Sequence, residues 1–572
     1  MAIGSVAFAQ TTGSTVILEE GRDPTAVQLG TGDDRVVVDI SRVNADTGVL
    51  DLNGLTNGPL TDGGGSDSVW LRATTSQTRN VAFTTPRGAT TKQDIRADST
   101  AGTPFDGGTV YEASGDDTVL TLENRSRSPI PTDPTKLPTN AAMELRHGPL
   151  RIAGDGKVIL SFTVNSGDQP DGTQQAILVE EGASTPGGDG KLDLLIDAAD
   201  VGGDRVASGL IDVRNAASLR LSNTSRVQLL EGVGILGGNA DIFLDANTWV
   251  NGYGSAAFDV TLIKSSGRVY NSTRVSVAGQ SGDPDAVGVA VQLEGGKLYN
   301  ILTEGASGTG GVSGGIGNII GGSNGVLALE GNNYIENVGD IRSFTGAAIY
   351  SVDGTSVLRN TIWNFSKGGT RAGNIVGGLI NGQRVAYQAA DGGDAIDFVV
   401  NSGTIDGDID LGDNDDMFLY TGAANGMVGD IVGGEGIDGY GKSFSASTTQ
   451  TLSNDILGNG NSGFEMHGIE ARGVDTTVTV ASVSPLNAGL MLVGDGIVVN
   501  TANINLNSAQ EYGVWVRAIK NVDSALHFVN RGQIDTVKTG FRALDGLSSF
   551  ANEGTIRSSE RGRCGVRVRF AL

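Results

Sequence analysis

Apolar residues in this chain fall in short runs rich in Val, Ile, Leu and Phe, and Gly, Asp or Asn bounds each run. Val158-Ile159-Leu160-Ser161-Phe162-Thr163-Val164 and Thr476-Thr477-Val478-Thr479-Val480 are typical. β-branched and aromatic runs between turn residues predict strands and corners, and helical spacing is hard to find anywhere. The pattern also recurs at a fixed step. Within Asp391 to Tyr440, Gly407-Asp408-Ile409 returns as Gly429-Asp430-Ile431, an offset of 22 (429 − 407 = 22). Asp416 returns as Asp438 at the same step, and Phe528, Asn530, Gly532 and Ile534 return as Phe550, Asn552, Gly554 and Ile556. Self-similarity at such a period is the signature of a solenoid. The prediction is all-β: coils of about 22 residues, each with three short strands, stacked at the ordinary interstrand spacing of about 4.8 Å.

Other positions fit the same plan. Asn223-Thr224-Ser225-Arg226-Val227 returns as Asn271-Ser272-Thr273-Arg274-Val275, an offset that two coils would give (271 − 223 = 48). Leu293-Glu294-Gly295 returns as Leu329-Glu330-Gly331, an offset that one coil plus a glycine-rich insertion near 305–325 would give (329 − 293 = 36). Asn337-Val338-Gly339-Asp340-Ile341, Asn401-Ser402-Gly403-Thr404-Ile405, Asn530-Arg531-Gly532-Gln533-Ile534 and Asn552-Glu553-Gly554-Thr555-Ile556 share N-x-G-x-I. Asn and Gly tolerate left-handed backbone. The motif therefore predicts a corner, an inward Ile, and a ladder of Asn side chains inside stacked corners. Residues 391–560 form the most regular block, and Ile405, Ile409, Ile431, Ile534 and Ile556 are expected to point inward.

The chain divides by composition. Residues 1–9 read as the remnant of a signal peptide, since Ala7-Phe8-Ala9 precedes Gln10 in an A-x-A pattern. Residues 10–124 are β-rich, with Gly-then-Asp corners at Asp33-Asp34 and Asp116-Asp117. Residues 125–139 hold four of the 13 prolines and read as a loop or linker, with β-helix following over 140–390. Residues 561–572 are atypically basic and hold the single cysteine, Cys564; they read either as a capping strand or as a segment foreign to the natural frame.

Composition sharpens the class. The formal charge of −25 argues against nucleic acid and anionic membrane surfaces as partners. Glycine at 88 of 572 residues is about twice the average, without a collagen period. One cysteine permits no internal disulfide, and no apolar run is long enough for a transmembrane helix.

The N-x-G-x-I corners, the 397–440 block and the following Gly463-Phe464-Glu465 resemble passenger domains of autotransporters, the type V secreted proteins of Gram-negative bacteria. The match covers residues 330–560 well and the earlier chain in general terms. The resemblance implies a right-handed parallel β-helix, exported across the outer membrane by a C-terminal translocator barrel and displayed extracellularly or at the cell surface. The chain departs from the family there, because the stretch from Ile556 to Leu572 is too short for barrel strands (572 − 556 = 16).

Candidate chemistry is sparse. Gly311-Val312-Ser313-Gly314-Gly315 fits G-x-S-x-G, but it lies in a glycine tract where such strings arise by chance. His147, His467 and His527 have no His or Cys at metal-ligand spacing. The pairs Asp33-Asp34, Asp116-Asp117 and Asp415-Asp416 sit behind Gly corners, a structural position rather than one for acid–base catalysis. Gly433-Gly434-Glu435-Gly436-Ile437-Asp438-Gly439-Tyr440 matches a unit that binds calcium in β-roll proteins, with weaker copies at Asp416 and Asp397. Tandem repetition is missing, so Gly is expected to supply positive φ and Asp to accept hydrogen bonds from corner amides. The fold is expected not to require calcium, with any binding at Asp397, Asp416 and Asp438 weak. The expected function is a non-enzymatic scaffold for adhesion or surface structure, with a surface or carbohydrate ligand that the sequence does not name. The alternatives are an extracellular polysaccharide-cleaving β-helix and a phage or S-layer-like structural repeat protein.

Overall fold

The computed structural model describes residues 149–559 apart from short gaps, the longest at 167–174, 181–191, 278–286 and 302–315, together with the backbone of isolated strands between Ala7 and Leu145 and of Val566–Val568. Among the described residues every regular element is a β-strand. Contacts divide the chain into two compact units, Met1–Ala290 with Gly305–Ile316, and Val291–Glu304 with Gly317–Leu572.

In the first unit, strands Lys157–Leu160, Leu192–Asp197, Ala216–Ser222, Asp241–Leu244 and Arg268–Asn271 pair in parallel, each with the next. Strand alternation sends every second side chain inward. Val158, Leu194, Leu219, Ile242 and Val269 thus form one buried apolar column. The repeat from Asn223 to Asn271 is two steps of a stack in this unit, because Val227 pairs with Val250 and Val250 with Val275.

In the second unit the longest ladder runs through Asn332–Asn337, Thr355–Asn360, Asp397–Asn401, Met417–Tyr420, Gly439–Phe444, Met466–Ala471, Gly489–Gly494, Tyr512–Val516 and Thr539–Ala543. All these pairings are parallel, and further parallel ladders flank them. The expected partners meet: Ile409 pairs with Ile431 and Ile534 with Ile556. Ile405, Ile409, Ile431 and Ile534 are buried, while Ile556 is half-buried against the same core as Ile534. The step is not constant. Phe398 pairs with Met417, a short step (417 − 398 = 19), and Gly439 with Met466, a long one (466 − 439 = 27).

The asparagine ladder is present, in two runs. Asn300 donates to Asn337 at 2.7 Å, Asn337 to Asn360 at 2.9 Å and Asn360 to Asn401 at 2.8 Å. Asn500 donates to Asn530 and Asn530 to Asn552, each at 2.8 Å. The first run closes strands of the longest ladder; the second closes strands of the ladder that begins at Thr448–Leu452. One motif therefore serves two different corners. Its glycines are not left-handed, contrary to the expectation above. A Cβ on Gly403 would meet the Gly373 carbonyl oxygen at 2.1 Å, and one on Gly532 would meet that of Ala502 at 2.1 Å. Glycine is required there by the approach of the neighbouring coil.

The longest ladder is buried on both faces. One face joins the inner core of Ile469, Leu490, Leu492, Val514, Val516 and Phe541, together with Val478, Val498 and Phe528. The opposite face carries a second apolar cluster that includes Phe398, Met417, Met466, Met491, Trp515 and Ile519. Asn521, just past Ile519, donates to the carbonyl of Asn332 at 3.1 Å, so the chain after Tyr512–Val516 runs back over this face. A buried ion pair joins Arg359 to Glu470 at 2.5 Å, and Ser443 donates to the same carboxylate at 2.5 Å.

Stacked burial makes Ile431 a test position. Ile431→Asp places an unpaired charge between apolar coils and is expected to cost several kcal/mol, against about 1 kcal/mol for Ile431→Val. Denaturant unfolding of the two variants beside the wild type checks the difference.

Candidate functional site

The longest ladder brings the three candidate aspartates into one column. The pairing of Phe398 with Met417 and of Met417 with Gly439 sets Asp397, Asp416 and Asp438 at equivalent positions on successive strands. All three are buried, at 1%, 0% and 0% exposure. Their hydrogen bonds form a chain. The backbone N–H of Asp397 donates to Asp416 Oδ1 at 2.7 Å, and that of Asp416 to Asp438 Oδ1 at 2.7 Å. The N–H of Asp438 donates to Glu465 Oε2 at 2.9 Å, so Glu465 extends the column by one rung. Glu465 escapes the sequence ruler because its offset from Asp438 is 27, not 22 (465 − 438 = 27).

The corner before Asp438 is shaped as expected. Gly434 and Gly436 have φ of 103° and 144°, values open to glycine at no steric cost. A Cβ on Gly433 would stand 2.8 Å from Asp438 Oδ2. The neighbouring Asp415 also accepts an amide across coils, from Ile437 at 3.0 Å.

One oxygen of each aspartate, Oδ2 of Asp397, Asp416 and Asp438, is buried without a hydrogen-bond partner. Burial disfavours the charged form, so every carboxyl in the column is pushed upward. Asp397 is pushed up to about 7 by burial, partly opposed by hydrogen bonds from Tyr387 at 2.5 Å and Ser351 at 3.1 Å. Asp416, in the middle, is raised to about 10 by burial and by the charges of Asp397 and Asp438. Asp438 is raised to about 7, again mainly by burial, and Glu465 is raised for the same reason. At neutral pH the middle rung is a carboxylic acid, which removes the repulsion that stacked carboxylates would suffer.

This arrangement does not fit a calcium site. Calcium takes six to eight converging oxygens. Here one oxygen per rung is already engaged, by a backbone amide at Asp416 and Asp438 and by the Tyr387 and Ser351 hydroxyls at Asp397, and the free ones are distributed one per coil. Among the described residues, no group of three or more His, Cys, Asp or Glu is placed to hold a metal ion.

The other candidates fall apart in space or lie outside the described residues. His467 is buried, and burial lowers it to about 4, so it stays neutral; its Nε2 has no partner. His527 is exposed and its Nδ1 lies 2.6 Å from Ser549 Oγ. His147, Cys564, Ser313 with its glycine tract, and the pairs Asp33-Asp34 and Asp116-Asp117 lie outside the described residues. No helix of the described residues is long and apolar enough to cross a membrane.

The column makes stability depend on pH. A carboxyl whose folded pKa is raised binds its proton more tightly folded than unfolded. Its stabilising contribution is complete below the unfolded value of about 4 and is lost as pH climbs through the folded value. The melting temperature should therefore fall from about pH 4 upward, with all three aspartates contributing up to about pH 7 and Asp416 alone from there to about pH 10. Asp416→Asn keeps the acceptor but cannot ionise, so it should flatten the upper part of that fall; thermal melts across pH check both. Chelator and millimolar calcium should leave melting of the wild type and of Asp438→Asn unchanged; a large calcium-dependent rise lost in the variant would contradict this assignment.

Among known proteins, no family model, no curated protein and no solved structure matches the chain.

Proposed function

We propose that the chain is a right-handed parallel β-helix with coils of about 22 residues, and that it works as an autotransporter-like passenger: a rigid scaffold displayed at the surface of a Gram-negative cell for adhesion or surface structure. The observation that carries this reading is the run of parallel, in-register rungs whose inward positions repeat from coil to coil, as in the paired isoleucines and the two asparagine ladders. A ladder of that kind lets a chain extend without a single enlarging core.

Two further features support display. The outer faces of the last rungs are polar and pleated, with Asn503 over Gln533 over Thr555 and Asn505 over Asp535 over Arg557. Such columns present side chains at regular spacing to a repetitive partner. The strong negative charge opposes association with nucleic acid and with anionic lipid. Export would need a translocator barrel, supplied by the same gene product or a second one.

Protease shaving of intact source cells, read with an antibody against the chain, tests the proposal. A displayed passenger is degraded while a periplasmic control protein survives. Protection in intact cells with degradation only after lysis would overturn it.

A further inference from the structure

The ladders of the second unit change partway along. The ladder containing Asp408–Asp410 and Ile431–Val432 gives way to the one that begins at Thr448–Leu452. A cavity of about 150 Å³ lies at this change, lined by side chains from Met417–Tyr420, Gly439–Phe444, Thr448–Leu452 and Met466–Ala471. Its position follows from alternation. Tyr440 and His467 are paired neighbours in one column, and Tyr420 and Lys442 in another, two positions along the strands.

The lining has a definite chemistry. Tyr420 and Tyr440 present two phenol rings with centroids 5.7 Å apart, tilted at 43°. Burial raises both phenols, so they are protonated donors. The Lys442 ammonium stands 5.3 Å from the Tyr420 ring centroid. Gln450 and Asp455 add an amide and a carboxylate to the lining, and His467 adds a neutral imidazole that is more than nine-tenths buried.

These features select among ligand classes. A cavity of this size holds one six-membered ring rather than a chain of them. A wholly apolar ring would leave the buried His467 Nε2 without a partner and would strip water from the Gln450 amide and the Lys442 ammonium, which costs free energy at each. An anion would meet Asp455 and the net negative charge of the chain, and a cation would meet Lys442. A neutral ring with several hydroxyls satisfies all of them: its hydroxyls pair with the amide, carboxylate, phenols and imidazole, while its C–H face packs on a tyrosine ring. We propose that this cavity binds one pyranose, free or at the end of a glycan. The site is independent of export, so the surface-shaving result and this one can fail separately.

The test uses the full chain with its three histidines observed by NMR. Glucose, galactose, mannose and N-acetylglucosamine are titrated, each free and as the non-reducing end of a disaccharide, with phenol and acetate as controls. The expected result is a saturable shift of the His467 imidazole signals by at least one sugar, with a dissociation constant in the millimolar range or tighter, and no change at His527. A disaccharide that binds as well as the free sugar assigns a glycan end; a free sugar that binds alone assigns a monosaccharide. Gln450→Leu and Asp455→Ala, which remove polar groups at half-buried and exposed positions, should each weaken binding at least fivefold with melting unchanged. The proposal is overturned if no sugar moves the His467 signals, if phenol or acetate binds and sugars do not, or if both variants bind as the wild type does.

Discussion

Parallel stacking in register forces each inward side chain to meet its counterpart on the next coil. That constraint decides which residues the interior can hold. For apolar residues it is favourable without further design, as in the column from Val158 to Val269 and the pairs Ile409–Ile431 and Ile534–Ile556. For asparagine it is favourable because the amide is both donor and acceptor, so one side chain satisfies the next. The buried ladder from Asn300 to Asn401 depends on this, and its members also reach corner carbonyls such as that of Thr404. Each such bond contributes only about 1 kcal/mol net, but an interrupted ladder leaves a buried amide unpaired, which costs more.

For aspartate the same constraint is adverse, and the fold meets it in two ways. Asp416 and Asp438 each accept the backbone amide of the preceding rung, which aligns a dipole with the carboxylate. Burial then favours the protonated acid at the centre of the column. The acids thus end up as hydrogen-bonding groups in a corner rather than as a ligand set. Arg359 and Glu470 show the complementary solution. They are buried in the same sheet, with the Arg359 guanidinium over the Phe398 ring of the second apolar cluster, and the guanidinium neutralises the carboxylate directly. Removing one member of such a pair strands the other in a dry environment.

Much of this was legible from residue spacing. The repeated offset identifies which isoleucines and phenylalanines stack, and N-x-G-x-I identifies the ladder asparagines. The sequence could not say which corner the motif occupies, because Asn401 and Asn530 both open an N-x-G-x-I motif but close different ladders. It also misassigned the reason for the motif's glycine, which is contact with the next coil's carbonyl rather than backbone handedness. Glu465 and Tyr387 join the aspartate column through coils of other lengths, so no fixed step reveals them. Asn381-Gly382, both with positive φ, forms the tight turn between Gly378–Ile380 and Gln383–Ala389; that signal was present in the sequence and is the usual one for a hairpin. The second apolar cluster had no sequence signature, because a strand buried on both faces loses its alternation.

The constraint of like meeting like is tested most directly at the one column where it is adverse. Carboxyl carbon-13 chemical shifts of the aspartates, followed from about pH 4 to about pH 10, report the charge on each rung. The account predicts that Asp416 still carries its proton at neutral pH, well above the ordinary carboxylate value of about 4. Ionisation of Asp397, Asp416 and Asp438 together in that ordinary range would contradict it, since three stacked carboxylates would then be charged in the dry corner where the ladder places them.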